Sequence, residues 1–347
     1  RKQDDRHRQG LAAALQWENT DKTFLATAQF IRSDSSLAWT ENAIEMADDA
    51  VIKDLVPVAG TQFEYTDQGL FESGLITSNA GWRGNDADRQ PGGEFGAQHA
   101  MVTRFHDQDA VVDDMGINLK WRPNDTWAVN FDAQYADSTS KILDFSVMGA
   151  TRAVVGIQSN GDDTPNITLL SPSNDATDET HFTDPKNYFW RSAMDHISDN
   201  EGNELAIASD VQYTFDDGFF TSVKVGARFA EREQTTRQSE YNWGWLSEAW
   251  AGSGNAWFDA EGDENGATVT DQFEQVDFDN FARGDVLTTP GGNSFLFPKR
   301  DLVMDYANAA STFSALNGEW QPLSQRDGAT GDFVDNEVNK TLETSTA

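Results

Sequence analysis

Histidines and carboxylates are the side chains of this sequence best able to do chemistry, and their spacing is unhelpful to catalysis. His7, His99, His106, His181 and His196 stand far apart, without the close intervals of a metal-ligating set. They read as solvent-facing or ordinary hydrogen-bonded side chains. No His-Glu-x-x-His, phosphate-binding loop or Gly-x-Ser-x-Gly elbow occurs; Gly252-Ser253-Gly254 lacks the third glycine. Cysteine is absent, which excludes thiolate nucleophiles, disulfide scaffolds, iron–sulfur clusters and thiolate zinc sites. Between Asp259 and Asn280 lie eight carboxylates and no Lys or Arg. Within that run Glu261, Asp263, Asn265 and Gly266 imitate the start of a calcium loop. Its register puts Glu at the first position and Gln272 at the twelfth, where Asp and a bidentate Glu belong. The run therefore reads as a hydrated acidic loop. A glycosidase pair needs a fixed carboxylate separation that sequence does not specify. No enzyme, metal or cofactor is expected.

Aromatic clusters are the better functional candidates. Tyr188, Phe189 and Trp190 sit beside Asp184 and Arg191, and Tyr241, Trp243, Trp245, Trp250 and Trp257 punctuate a later stretch. Flat rings can stack on the apolar faces of sugars while nearby polar groups satisfy hydroxyls, the usual make-up of a ligand pocket. The competing reading is that these rings fold long loops against each other, because Trp and Tyr bury much area and still reach a partner. Some of the ten are expected to face a ligand.

The elements that must carry these residues show a repeated grammar of alternating segment, tight polar turn, alternating segment. Leu11, Ala13, Leu15 and Trp17 share a face; after Asn19-Thr20-Asp21-Lys22, Phe24, Ala26, Ala28 and Phe30 do the same. Val111, Met115, Ile117, Leu119 and Trp121 precede Pro123-Asn124-Asp125, and Trp127, Val129, Phe131, Ala133 and Tyr135 follow. Leu205, Ile207, Val211, Tyr213 and Phe215 precede Asp216-Asp217-Gly218, with Phe219, Val223, Val225, Ala227 and Phe229 after it. Period two is the strand signal, and Pro, Asn, Asp and Gly make the turns. Asp113 and Ser209 are polar exceptions on the apolar faces. Hairpins are thus expected at about 9–33, 108–138 and 203–234, joined by long loops at about 34–105, 139–200 and 235–347. Ser35 to Met46 is expected to form a short helix with a Ser cap.

Aromatics crowd the turn ends: Trp17 with Phe24, Trp121 with Trp127, Phe215 with Phe219. Such rings suit a membrane–water interface. Short turns alternating with long loops are unusual in soluble domains and usual in outer-membrane barrels. About ten residues at ~3.3 Å each, tilted about 45°, span roughly 23 Å, close to a barrel's apolar band. No apolar run reaches the ~18 residues of a transmembrane helix. With 25 Lys and Arg against 58 Asp and Glu, the formal charge is −33, which opposes a nucleic-acid partner.

Several stretches carry a family resemblance: Gly10-Leu11-Ala12-Ala13-Ala14-Leu15-Gln16-Trp17, Thr27-Ala28-Gln29-Phe30-Ile31-Arg32-Ser33-Asp34 and Ala38-Trp39-Thr40-Glu41. Further on come Asp184-Pro185 with Tyr188-Phe189-Trp190-Arg191-Ser192-Ala193-Met194-Asp195-His196, and Gly226-Ala227-Arg228-Phe229-Ala230-Glu231-Arg232. In their order the chain resembles the TonB-dependent outer-membrane receptors of Gram-negative bacteria, nearest those of carbohydrate uptake. The resemblance spans essentially the whole chain but only the middle of the family's barrel. It implies outer-membrane lipid around the wall, a nutrient ligand (a saccharide by this likeness) and the TonB energy-coupling complex as partners. The family's plug domain and TonB box, and the aromatic residue that ends its last strand, are not in this sequence. A piece of a longer polypeptide is therefore expected.

The expected fold is all-β: an antiparallel transmembrane β-barrel segment of about six strands, with long extracellular loops containing short helices. The expected function is nutrient binding by those loops for TonB-driven uptake across the outer membrane. The alternatives are a secreted carbohydrate-active β protein, such as a glycoside hydrolase, and a passive porin or adhesin.

Overall fold

Tight turns start the strands because their side chains close them. Asn19 Oδ1 accepts from the Phe24 amide at 2.9 Å, and Asn124 Oδ1 accepts from the amides of Thr126 and Trp127, both at 3.0 Å. At the third turn the Phe215 amide donates to the Thr221 carbonyl at 3.0 Å, with Gly218 at φ +134°, a value that favours glycine. The computed structural model describes residues 1–46, 55–78, 96–161, 163–172, 175–252, 254–260, 269–284, 286–325 and 338–346.

The chain is all-β in its main architecture. In order, the strands are β1 (Lys2–Glu18), β2 (Phe24–Met46), β3 (Leu55–Pro57), β4 (Glu64–Tyr65), β5 (Phe71–Ser78), β6 (Ala97–Trp121), β7 (Trp127–Asn160) and β8 (Asp163–Leu170). Then come β9 (Phe189–Thr214), β10 (Ser222–Gln238), β11 (Asn242–Trp245), β12 (Phe273–Asp277), β13 (Leu287–Thr288), β14 (Ser294–Pro298) and β15 (Val338–Thr346). Two short helices, α1 (Arg300–Met304) and α2 (Tyr306–Phe313), follow β14. The main sheet runs β1-β2-β6-β7-β9-β10-β15, every neighbour antiparallel. It is open: among the described residues β1 and β15 each pair on one side only.

Two expectations need correction. The strands are not ten-residue hairpin arms; β2, β6, β7 and β9 hold 23, 25, 34 and 26 residues and continue well into the stretches expected as loops. Beyond each hairpin the residues are polar on both faces, as in Asp34-Ser35-Ser36, so their alternation disappears while the backbone ladder goes on. The expected helix from Ser35 to Met46 is instead the far half of β2. Ser35 pairs with Arg8 on one side and Ala110 on the other, and ladders on both flanks outweigh a weak helical propensity.

The sheet has two unlike faces near its turns. Cross-strand partners point to the same side, so the pairing register places Leu15, Ala28, Ile117, Ala133, Ile207 and Phe229 in one row on one face. This face is apolar and uncovered: Leu15 is 74% and Val225 70% exposed. Trp17, Phe24, Trp121, Trp127 and Tyr213 lie along its turn edge, with Phe30 and Tyr135 at its opposite edge. Beyond that edge the same face becomes charged, where Arg32 pairs with Asp113 at 3.0 Å. The polar exception Asp113 thus stands at the limit of the band. Ser209 satisfies its hydroxyl on the Asn130 carbonyl at 3.1 Å.

The reverse face is polar. Asn118 donates to Asn130 at 2.9 Å and to Asp132 at 2.6 Å, Gln134 donates to Asp114 at 2.6 Å, and Lys224 pairs with Asp210 at 2.9 Å.

The far halves of the strands are covered on the band's side. There Met101, Phe105, Phe145, Val147 and Ala193 pack with Leu246, Phe258, Phe295, Phe297, Phe313 and Trp320 from the 239–325 excursion, hereafter the cap. Trp190 lies between Phe258 and Phe313, ring centroids 4.2 and 5.0 Å away, with Nε1 donating to the Val269 carbonyl at 3.0 Å. Trp190→Ala is expected to destabilise the docked cap by about 3–5 kcal/mol, as large aromatic truncations in cores do. Hydrogen exchange would show lost protection across β11 to α2 with the β1–β2 hairpin unchanged.

Candidate functional site

Above the polar ladders, the reverse face carries a row of chemically capable side chains, of which Asp4 is exposed, Trp39, His106 and His196 are half-buried and Asp144 is buried. Register aligns Asp4, Trp39, His106, Asp144 and His196 on β1, β2, β6, β7 and β9. The next row holds Lys2, Glu41, Arg104, Ser146, Met194 and Trp243. Trp39 stacks on His106 at 5.0 Å and 12°. The Lys2 ammonium lies 4.0 Å and the Arg104 guanidinium 5.1 Å from its ring, in cation–π range. Two strand spacings from His106, ~10 Å, His196 is stacked by Tyr241 at 4.4 Å and 19°.

Between these platforms sits an ion pair. Arg104 donates Nε to Asp144 Oδ1 at 2.7 Å and Nη2 to Oδ2 at 2.5 Å, and His106 Nδ1 lies 3.2 Å from Oδ2. The bond to Asp144 is the largest cause raising the pKa of Arg104, so the guanidinium stays charged. Planar bidentate pairing holds both groups in one orientation.

Position here depends on β11. It pairs with β9 where β10 has ended, Trp243 opposite Met194 and Trp245 opposite Ser192, which puts Tyr241, Trp243 and Trp245 on the Trp39 face. Gly244 permits this approach, since a Cβ there would stand 2.6 Å from the Trp320 Cα. On the opposite side Asp195, wholly buried, fixes β9 to the cap. Its carboxylate accepts from Asn242 Nδ2 at 2.6 Å, the Tyr306 hydroxyl at 2.5 Å, Trp320 Nε1 at 3.2 Å and the Leu323 amide at 2.8 Å. Burial, then the charge of Asp195, raises the pKa of Tyr306, so its phenol remains a donor.

The aromatic residues singled out from sequence therefore divide. Tyr241 and Trp243 are exposed and Trp245 is half-buried, all beside the stacked platforms. Tyr188, Phe189, Trp190 and Trp257 are buried, which removes them from contact with a ligand. Tyr188 donates to the Phe182 carbonyl at 2.7 Å, and Phe189 meets Trp257 edge-on at 5.8 Å. For these four the loop-folding reading is the right one. Arg191 is half-buried, 3.3 Å from Glu248 Oε1. Asp184 caps the turn at Pro185–Asn187 by accepting from the Lys186 amide at 3.1 Å. The Trp250 side chain and the calcium-like stretch Glu261 to Gly266 lie outside the described residues.

Trp39, Arg104, His106, Asp144 and His196 escaped sequence reasoning. One signal was present: counting outward from the 122–126 turn puts His106 opposite Asp144. The other alignments need the β2–β6 and β7–β9 registers, which no short turn sets.

The arrangement offers two ring platforms, fixed donors and fixed acceptors. Among the described residues no group of three or more His, Asp or Glu side chains is placed to hold a metal ion. No protein-family model, curated protein or solved structure matches the chain. Asp195→Asn replaces one acceptor oxygen by a donor facing other donors. It is expected to cost about 1–3 kcal/mol, read as faster exchange of the Trp320 indole and Leu323 amide protons.

Proposed function

We propose that this chain is a wall segment of a TonB-dependent outer-membrane receptor. Its apolar band faces lipid, its polar face lines the lumen, and the Trp39–Tyr241 face binds a saccharide nutrient for TonB-driven uptake through the receptor's plug. The one-sided band is the observation that carries the reading. A soluble sandwich buries such a face between sheets, whereas here it is exposed on six neighbouring strands while the reverse face is polar. From Trp127 to Tyr135 the band runs about 26 Å along the strand at ~3.3 Å per residue, or about 19 Å at 45° tilt, near the ~25 Å of outer-membrane barrels. Aromatics at both edges match interfacial girdles.

The inner rings of the two platforms, His106 and His196, stand two strand spacings, ~10 Å, apart; the exposed ring of Tyr241 suits stacking against a sugar, with the half-buried Arg104 as a donor to hydroxyls between the platforms. The reading commits the long strands beyond the band to the cell exterior, where the ligand arrives.

Ile117→Arg, in the middle of the band, is expected to cost about 2–4 kcal/mol of folding in lipid, whereas Asn118→Arg on the reverse face is tolerated. Urea titrations of vesicle-inserted protein measure both; equal effects at the two positions would sink the membrane assignment. Trp39→Ala and Tyr241→Ala are each expected to weaken oligosaccharide binding about tenfold, the worth of one lost stacking platform at about 1–1.5 kcal/mol. Calorimetric titration with maltooligosaccharides and other oligosaccharides reads this out.

A further inference from the structure

A cavity lies on the opposite side of the sheet from the Trp39 platform, between the far end of β2, the β7–β8 pair and the side chains of Phe278, Phe281 and Leu287. Its volume is about 440 Å³, within the ordinary range of small-molecule sites, ~300–1,000 Å³. Ile44, Val155, Ile157, Leu169, Phe278 and Leu287 supply apolar walls. The two charged residues of its lining, Arg1 and Glu41, are both solvent-accessible.

His99 from β6 also lines the cavity, although it is only 4% exposed. Its Nδ1 stands 2.9 Å from the Ala97 carbonyl oxygen. A carbonyl oxygen only accepts, so Nδ1 carries the hydrogen and Nε2 is the bare acceptor. Nε2 has no partner among the described residues. Burial lowers the imidazole pKa to about 4, which keeps the ring neutral in that tautomer at ordinary pH. A bare acceptor lining a cavity with mostly apolar walls specifies a hydrogen-bond donor as its complement.

We propose that this cavity binds a small uncharged apolar molecule carrying one hydroxyl group, which donates its hydrogen bond to His99 Nε2. A carboxylate or phosphate offers only acceptors to Nε2 and loses hydration against apolar walls. An ammonium pays the same desolvation. A plain hydrocarbon fills the walls but leaves the imidazole unsatisfied. The selectivity thus follows from one tautomer, set by one backbone carbonyl. This site is separate in space and in ligand chemistry from the saccharide face, and it stands whether or not the sheet crosses a membrane.

The test uses the whole chain, in lipid nanodiscs and, where it stays dispersed without lipid, in buffer, with 2-naphthol, 2-naphthoate and naphthalene as probes, followed by saturation-transfer NMR. Saturable binding of 2-naphthol is expected, with 2-naphthoate and naphthalene each about tenfold weaker or worse, the equivalent of one hydrogen bond at about 1.4 kcal/mol. His99→Leu should erase the preference of naphthol over naphthalene. Because that position is buried, Leu287→Trp provides a second variant that fills the cavity from its half-buried rim and should abolish saturable binding. The proposal fails if 2-naphthol binds only by non-saturable partition into lipid, if 2-naphthoate binds equally well, or if Leu287→Trp leaves binding unchanged.

Discussion

Unbroken register is the constraint on which the rest of this structure depends. Side chains alternate with period two, so a slip of one residue between neighbours would exchange the two faces of a strand. The β1–β2, β2–β6 and β6–β7 ladders run without a shift over 17, 23 and 25 residue pairs. One face can therefore be apolar near the turns and join the aromatic core of the cap farther along, while the other is mostly polar near the turns, then presents Trp39, His106 and His196, and ends in the buried Ala100, Val102 and Met148 cluster. The single irregularity between β7 and β9, at Met148 and Gly149, lies past this row and leaves its alignment intact.

Two different kinds of apolar surface result. The band is built from alternating aliphatic and aromatic residues, many of them exposed, and its energy is not realised within the chain. The cap core is built from rings concentrated in non-alternating segments, with Trp190, Tyr188, Phe145 and Phe258 fully buried. Asp195 joins sheet and cap through four donors drawn from β11, α2 and the stretch after it. Buried carboxylates persist only with such compensation, and the compensation fixes where β11 lies. That in turn sets the orientation of Tyr241 and Trp243 on the reverse face. The clamp thus supports the proposed recognition surface from behind, without touching a ligand.

The acidic excess takes on a location as well. On the band's side, Asp113, Asp137 and Glu233 form the row that follows the last apolar one, with Asp109 and Glu201 shortly beyond it. A charge of −33 is tolerable because many of these carboxylates stand on long, hydrated strands, where water screens like charges.

The sequence by itself determined the strand faces near the three turns, because Asn19, Asn124 and Gly218 close turns locally and period-two alternation needs no distant partner. Strand continuation past Ser33, the burial of Tyr188 and Trp190, and the row from Trp39 to His196 were decided only by tertiary structure. Each depends on pairing or packing between residues far apart in the chain: Ser35 is a strand residue because Arg8 and Ala110 flank it, and Trp190 is core because Phe258 and Phe313 return to cover it. Local chemistry writes turns and alternation into neighbouring residues, whereas ladder register and ring burial are set by contacts that exist only once the sheet has formed.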